Sequence, residues 1–351
     1  MNGKTWFILI GLTAAVLITG ANFLSSAEIS EKDCFFLSSL HHTGAGMKYW
    51  YEVESGGFEK ITGIPYADDR LDCKNCHITS CDKCHKMEKE SQLSYSTATA
   101  KNQEMCLKCH KRQKKIMQEI DQPRGEMDLH FASGMECFDC HTASEVHGDG
   151  TPYKSLFEKG AMKTRCENCH EDLTPIASHE IHKGKLDCSA CHTRRVITCY
   201  NCHFETLTEK KTRVSIPITD WVFLINRDGK VTSGNFQSLV YKGKPFVVFA
   251  PFFSHSVMKQ GRKCNECHGT DIVKQMENDK LRLTWFEDGE IKSVKGVVPI
   301  VDGKLELLYL EHGDGKWIPL KDTPDTLVQF TPYGQPITSQ QLKSLLRKMG
   351  K

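Results

Sequence analysis

The chain lacks a charge excess of either sign: 46 Lys and Arg stand against 44 Asp and Glu, a formal net charge of +2. Proteins that grip a phosphate backbone need a basic surplus or a basic stripe, so nucleic-acid binding has no support. Composition is otherwise near the globular mean, and 351 residues allow one large or two ordinary domains. Cysteine is not scarce. There are seventeen thiols, too many for an ordinary cytoplasmic enzyme, and no Cys-x-x-Cys pair among them lacks a His directly after it. That uniformity excludes most readings of a cysteine-rich chain. A structural zinc site needs no adjacent His, a thioredoxin-like motif occurs once, and a disulfide framework has no reason to repeat an imidazole.

Eight pentapeptides carry the pattern: Cys73, Cys76, His77; Cys81, Cys84, His85; Cys106, Cys109, His110; Cys137, Cys140, His141. The other four are Cys166, Cys169, His170; Cys188, Cys191, His192; Cys199, Cys202, His203; and Cys264, Cys267, His268. Two thiols three positions apart can form thioethers to the two vinyl groups of one haem, and the next imidazole becomes the proximal ligand of its iron. The first two motifs lie only three residues apart, in "LDCKNCHITSCDKCHK". Each should hold its own haem, with His77 and His85 on different irons.

On these motifs the chain resembles the multihaem c-type cytochromes, specifically the octahaem ones. The resemblance covers Cys73 to His268 and implies eight covalent haem c groups, attachment outside the cytoplasmic membrane and redox work. Seven motifs crowd the span from Cys73 to His203, so porphyrins are expected to replace an ordinary apolar core there. The expected fold is a haem-cored, loop-rich cytochrome region with short α-helices plus a β-rich C-terminal region, α+β overall. Sixteen propionates would make the holoprotein acidic, by roughly −16 if most ionise.

The sixth iron position decides between passing electrons and binding substrate. Sixteen His less eight in motifs leaves His41, His42, His130, His147, His179, His182, His255 and His312. His130, His182 and His255 each stand before a motif with five to eight residues between, a Gly among them. Multihaem cytochromes use such His as distal ligands, often for a different haem. His147 follows His141 closely, His179 and His182 fit one helical turn, and adjacent His41 and His42 offer one ligand or two. These seven are the candidate distal ligands. His312, in "LEHGDGKW", reads as a solvated residue beside a hairpin turn.

Residues 1–27 read as a signal peptide or a retained N-terminal membrane anchor, since an uncharged run follows Lys4 and is long enough to span a bilayer. Either way the remainder lies on the periplasmic or extracellular face. Residues 28–210 form the expected seven-haem region and 211–351 a β-rich domain with the eighth motif and a short terminal helix from Ser339. Asp-Gly pairs at Asp228, Asp288, Asp302 and Asp314, between short apolar runs, predict mostly antiparallel hairpins. "NQEMCLKCHKRQKKIMQEI" predicts a helix running through its motif. Cys34 is the unpaired thiol, read as a bystander.

Two functions follow from the ligand supply. In the first, closely packed, mostly bis-His haems relay electrons between a quinol-oxidising membrane complex and periplasmic or extracellular cytochromes, as a single molecule, an oligomer or a filament. In the second, one haem with an open or weakly held distal site makes the chain an oxidoreductase of a small nitrogen or sulfur species such as nitrite, hydroxylamine or tetrathionate. No Cys-x-x-Cys-Lys, a common mark of such a site, occurs, and the uniform motifs favour the relay.

Overall fold

The computed structural model describes residues 35–71, 77–89 and 92–347. The N-terminal run, Cys34, Cys73 and Cys76 lie outside the described residues. From Phe35 onward the chain forms one compact unit. No helix among the described residues is long and apolar enough to cross a membrane.

Up to Arg195, regular structure comes in short pieces. Helices of four to seven residues, such as Leu40–Thr43, Ala45–Tyr51 and Gln103–Leu107, alternate with loops, and one ribbon pairs β1 (Lys86–Lys89) with β2 (Gln92–Tyr95). The predicted helix through the third motif is interrupted. It runs over Gln103–Leu107, ends inside the motif, and resumes as Lys111–Lys114 and a π-helical stretch Lys115–Asp121. The break occurs where His110 leaves helical geometry, at φ −76° and ψ 57°.

The second half is built on a six-stranded sheet. Its strands are β3 (Val196–His203), β4 (Val214–Arg227), β5 (Lys230–Tyr241) and β6 (Lys244–Pro251), with β10 (Gly296–Pro299) and β14 (Leu327–Phe330) at the edges, in the order β10-β4-β3-β5-β6-β14. The long strand β4 pairs with β10 on one edge and shares its other edge between two partners: Val214 to Trp221 pairs with β3, and Phe223 to Arg227 pairs with β5. Strand β3 therefore wedges into the splay between β4 and β5. Small pairs complete the fold: β7 (Leu281–Arg282) with β11 (Leu305–Glu306), β8 (Thr284–Glu287) with β9 (Glu290–Ser293), and β12 (Leu310–Gly313) with β13 (Lys316–Pro319). The terminal helix Ser339–Leu346 forms, capped by the Thr338 hydroxyl on the Gln341 amide.

Three of the four Asp-Gly pairs close two-residue hairpins. Asp228 (φ 51°), Asp288 (φ 52°) and Asp314 (φ 50°) each take the left-handed conformation before a glycine that also has positive φ, the backbone of a type I′ turn. Lys242-Gly243 does the same between β5 and β6. The main sheet is mixed rather than mostly antiparallel, because β10 joins β4, β14 joins β6 and β3 joins β5 in parallel. Turn chemistry fixes only sequence neighbours. Each of these parallel pairs joins strands that no tight turn connects, and a parallel pair needs a long connection. The sheet also reaches back across residue 210: it starts at Val196, so the seventh motif is itself a strand.

Two cores sandwich the sheet. On one side Trp221, Phe223, Phe236, Phe249 and Tyr200 interlock with β-branched and Leu side chains, ring centres of the Trp221–Phe223 and Phe223–Phe236 pairs standing 4.9 and 5.1 Å apart. On the other, Tyr51, Phe58 and Tyr66 from the N-terminal segment pack on Phe204, Leu239 and Phe246. Arg195 bolts the haem-motif half to the start of β3. Its guanidinium pairs with buried Asp121 at 2.7 Å, with Asp220 at 3.3 Å, and with Glu126.

Candidate metal centres

A C-x-x-C-H motif works because one helical turn brings positions i, i+3 and i+4 to one face. That turn is present at five motifs as a bond from the His amide to the carbonyl of the first Cys. The distances are 2.9 Å for His85–Cys81, 3.0 Å for His110–Cys106, 2.9 Å for His141–Cys137, 2.9 Å for His170–Cys166 and 2.8 Å for His268–Cys264. The sixth motif is a complete short helix, Cys188–His192. Acidic side chains cap two of these turns, Asp139 on the Glu136 amide and Glu266 on the Lys263 amide. The seventh motif departs from the rule by lying on β3.

Fourteen of the sixteen imidazoles are sorted into seven pairs. Ring centres lie 6.0 Å apart for His85 and His147, 6.1 Å for His110 and His41, 6.3 Å for His141 and His255, and 6.2 Å for His170 and His130. The series continues at 6.4 Å for His192 and His179, 5.8 Å for His203 and His312, and 6.1 Å for His268 and His182. A ring nitrogen sits about 2 Å from a metal it binds and about 1 Å from its own ring centre, so two imidazoles facing across one metal have centres about 6 Å apart. Aromatic rings also pack at such distances without a metal; the sorting is what singles out ligation. Each of the seven pairs joins one motif His to one His outside the motifs, and no His is used twice.

Hydrogen bonding at Nδ1 orients seven of these rings for binding through Nε2. Nδ1 is bonded to a carbonyl oxygen at His85 (Ser96, 3.2 Å), His179 (Thr174, 2.8 Å), His182 (Ser178, 2.9 Å), His192 (Met258, 3.1 Å) and His268 (Ser344, 2.9 Å). His141 Nδ1 faces Glu145 at 3.0 Å and His130 Nδ1 faces Asp128 at 3.3 Å. A His that ligates a metal donates its other N–H in this way, which fixes the tautomer. Burial also keeps several rings neutral, the form that ligates. It lowers the pKa of His41, His110 and His268, and with His141 nearby it pushes His255 down to about 4. Glu145 is buried, which would raise its pKa, yet bonds from Thr164, His141 and Thr142 outweigh this and hold it below the usual value.

The motifs are strung together in space. The Cys106 thiol lies close to that of Cys137, and the Cys166 thiol close to that of Cys188. Cys84 lies within electrostatic reach of Cys106 and Cys109, Cys140 of Cys169, and Cys191 of Cys264. Motifs two, three, four, five, six and eight thus form a continuous series.

Two places differ from the sequence expectation. His312 is not a solvated turn residue. It stands on β12, half-buried between His203 and the Trp317 ring, whose centre is 4.7 Å away. The count of eight spare His against eight motifs was the signal for it; a hairpin position hid it. The other exception is His77. No His ring faces it at the common spacing; its Nε2 meets the Tyr66 hydroxyl at 2.7 Å. His42, the spare His left over, is held one residue away through Nδ1 on the Ile78 carbonyl at 3.2 Å. Burial, then Lys48, Lys83 and His42, lower the pKa of His77. At the seventh motif, Glu205 and Glu311 carboxylates lie 3.5 and 3.3 Å from His203 Nε2.

No family model and no solved structure matches the chain. It is 22% identical to the dissimilatory sulfite reductase MccA of Wolinella succinogenes, over 37% of this chain and 23% of that protein. It is 23% identical to the multiheme cytochrome MtrA of Shewanella baltica, over 37% of this chain and 46% of that one. The chain therefore spans less than half the length of either curated relative. Together these similarities support a multihaem c-type cytochrome with redox function and covalently bound haem c.

Proposed function

We propose that the chain is an extracytoplasmic octahaem c-type cytochrome that relays electrons between redox proteins through closely packed, mostly bis-His haems. The observation that carries this is the sorting of fourteen His into seven pairs, one motif member in each. The Cys pair of each motif would hold its haem, and His77, His85, His110, His141, His170, His192, His203 and His268 would be proximal. His147, His41, His255, His130, His179, His312 and His182 would be distal to His85, His110, His141, His170, His192, His203 and His268 in that order. Three of these, His130, His182 and His255, would serve a different haem from the motif they precede in sequence. A haem filled on both faces exchanges electrons without binding substrate. The unbroken series of neighbouring motifs supports a route along the molecule. Leu173, Ile176 and Ile181 stand about half exposed beside the fifth and sixth motifs, apolar surface of the kind a porphyrin covers. The donor and acceptor would be a quinol-oxidising membrane complex and periplasmic or extracellular cytochromes, with the N-terminal segment exporting or anchoring the chain.

One observation favours a second reading. His77 faces a tyrosine hydroxyl rather than an imidazole, with Lys48 and Lys83 close by. The first haem is therefore the place where a small nitrogen or sulfur oxyanion would bind if the chain is an oxidoreductase. Electron paramagnetic resonance of the oxidised protein decides. Low-spin ferric signals only, unmoved by nitrite, hydroxylamine or sulfite, are the expected result. A high-spin equivalent that responds to one of these ligands would overturn the pure relay and place the exception at His77.

A further inference from the structure

The seventh motif is built unlike the others. The remaining described motifs sit on a helical turn, but Cys-Tyr-Asn-Cys-His lies on β3, in the middle of the sheet. A strand alternates its side chains and does not by itself bring positions i, i+3 and i+4 together. The chain compensates at Asn201, which is fully buried and takes φ 51°, and the register of β3 against β4 shifts between Tyr200 and His203. Asn tolerates this left-handed conformation better than most residues.

The two residues between the cysteines also reach the segment that carries His312. Asn201 donates from Nδ2 to the Leu310 carbonyl at 2.7 Å, and its Oδ1 accepts from the Leu310 amide at 2.8 Å. The side-chain amide thus imitates one residue of a paired strand. Its own backbone amide donates to Ser238 Oγ at 2.8 Å. The Tyr200 hydroxyl shares a 2.7 Å bond with Thr284 Oγ1 and donates to the Leu308 carbonyl, while the Leu308 amide donates to Thr284 Oγ1 at 3.1 Å. Among the described residues, strand β12 pairs along its backbone only with β13. Its position against β3 therefore rests heavily on these two side chains, which bond the backbone at Leu308 and Leu310, four and two residues before His312.

We propose that Tyr200 and Asn201 are positioning residues that dock the β12–β13 hairpin so that His312 becomes the distal ligand opposite His203. This rests on the bis-His reading of the seventh haem. In one pentapeptide the cysteines attach the cofactor, the His binds one face, and the two intervening residues recruit the ligand for the other face. The consequence is a haem whose sixth ligand is held by a separable hairpin, whereas the distal His130, His179 and His182 lie on or within helices of the haem-motif half.

The test compares Asn201→Gly, Tyr200→Phe and His312→Ala in the holoprotein. Glycine keeps the positive φ and the C-x-x-C-H attachment while removing the amide; phenylalanine keeps the buried ring while removing the hydroxyl. We expect His312→Ala to convert one haem equivalent from low to high spin. Asn201→Gly should convert at least half an equivalent, Tyr200→Phe a smaller part, and added imidazole should restore the low-spin signal in each. Hydrogen exchange of the Leu310 amide should accelerate in Asn201→Gly. Should Asn201→Gly not yield holoprotein, Tyr200→Phe gives the same readout, since it removes the hydroxyl bonds to Thr284 and Leu308 and leaves Asn201 in place. Full low-spin content in the intervening-residue variants, with one equivalent lost in His312→Ala, would overturn the positioning role alone. No loss in His312→Ala would overturn the ligand assignment beneath it.

Discussion

The two halves of the molecule solve the problem of a core in different ways. Between Lys86 and Arg195 the chain makes helices of a turn or two, few of whose residues are buried, and its order is tied to the haem motifs. From Val196 onward a six-stranded sheet buries Trp221, Phe223, Phe236 and Phe249 in polypeptide alone. The same pentapeptide appears in both settings. In the first half the motifs bring their own helical turns; in the second half the eighth motif, between strands, keeps its turn, whereas the seventh, inside β3, is bent to fit a strand. The difference teaches that C-x-x-C-H prescribes the attachment chemistry and leaves the backbone to be set by its surroundings.

That contrast predicts unequal sensitivities. The largest effect should come from preventing attachment at the fourth motif with Cys137→Ser and Cys140→Ser together. Cleavage by a protease within the segment from Thr97 to Thr193 should accelerate roughly tenfold or more, while strand signals in circular dichroism persist. Equal loss in both halves would break the comparison. Next, Trp221→Ala removes a large fully buried ring and should cost about 3–5 kcal/mol in denaturant unfolding, with the haem spectrum unchanged up to the transition.

Arg195 tests the joint. Arg195→Ala leaves Asp121, which is fully buried, without its 2.7 Å partner, and stripping one member from a buried pair costs about 3 kcal/mol. Both halves should loosen together, seen as matched drops in the unfolding midpoints read by haem absorbance and by tryptophan fluorescence. The smallest effect should be local and electrostatic. Bonds from the Arg70 side chain and then its backbone hold the Asp68 carboxyl down to about 2, below its ordinary 3.8. Its folded-state pKa is depressed, so the stabilisation is complete above the unfolded value and disappears as pH falls through about 2. Asp68→Asn should therefore match the parent protein at the acid end and fall slightly below it above pH 4, as read by unfolding midpoints along the pH series.

Much of this was legible in the sequence because it is local. Motif spacing, the Asp-Gly turns at Asp228, Asp288 and Asp314, and the short terminal helix from Ser339 each depend on residues within a few positions of one another. The candidate distal ligands at 41, 42, 130, 147, 179, 182 and 255 were visible as residue types, but their partners were not. His41 meets His110, and His255 meets His141, across separations that no spacing rule reaches. His312 was misread for the same reason: its neighbour is a strand more than a hundred residues earlier, reached through bonds from Asn201 to Leu310. The mixed character of the sheet was hidden too, since β10 and β14 add in parallel at its edges after long excursions.

The central claim is the sorting of imidazoles into cross-motif pairs around metal. Locating the irons of the crystallised holoprotein by their anomalous scattering tests it most directly. The account predicts one iron midway between the rings of each pair, including His203 with His312 and His268 with His182. Irons that sit against the motif His alone, with the facing His turned away, would contradict it.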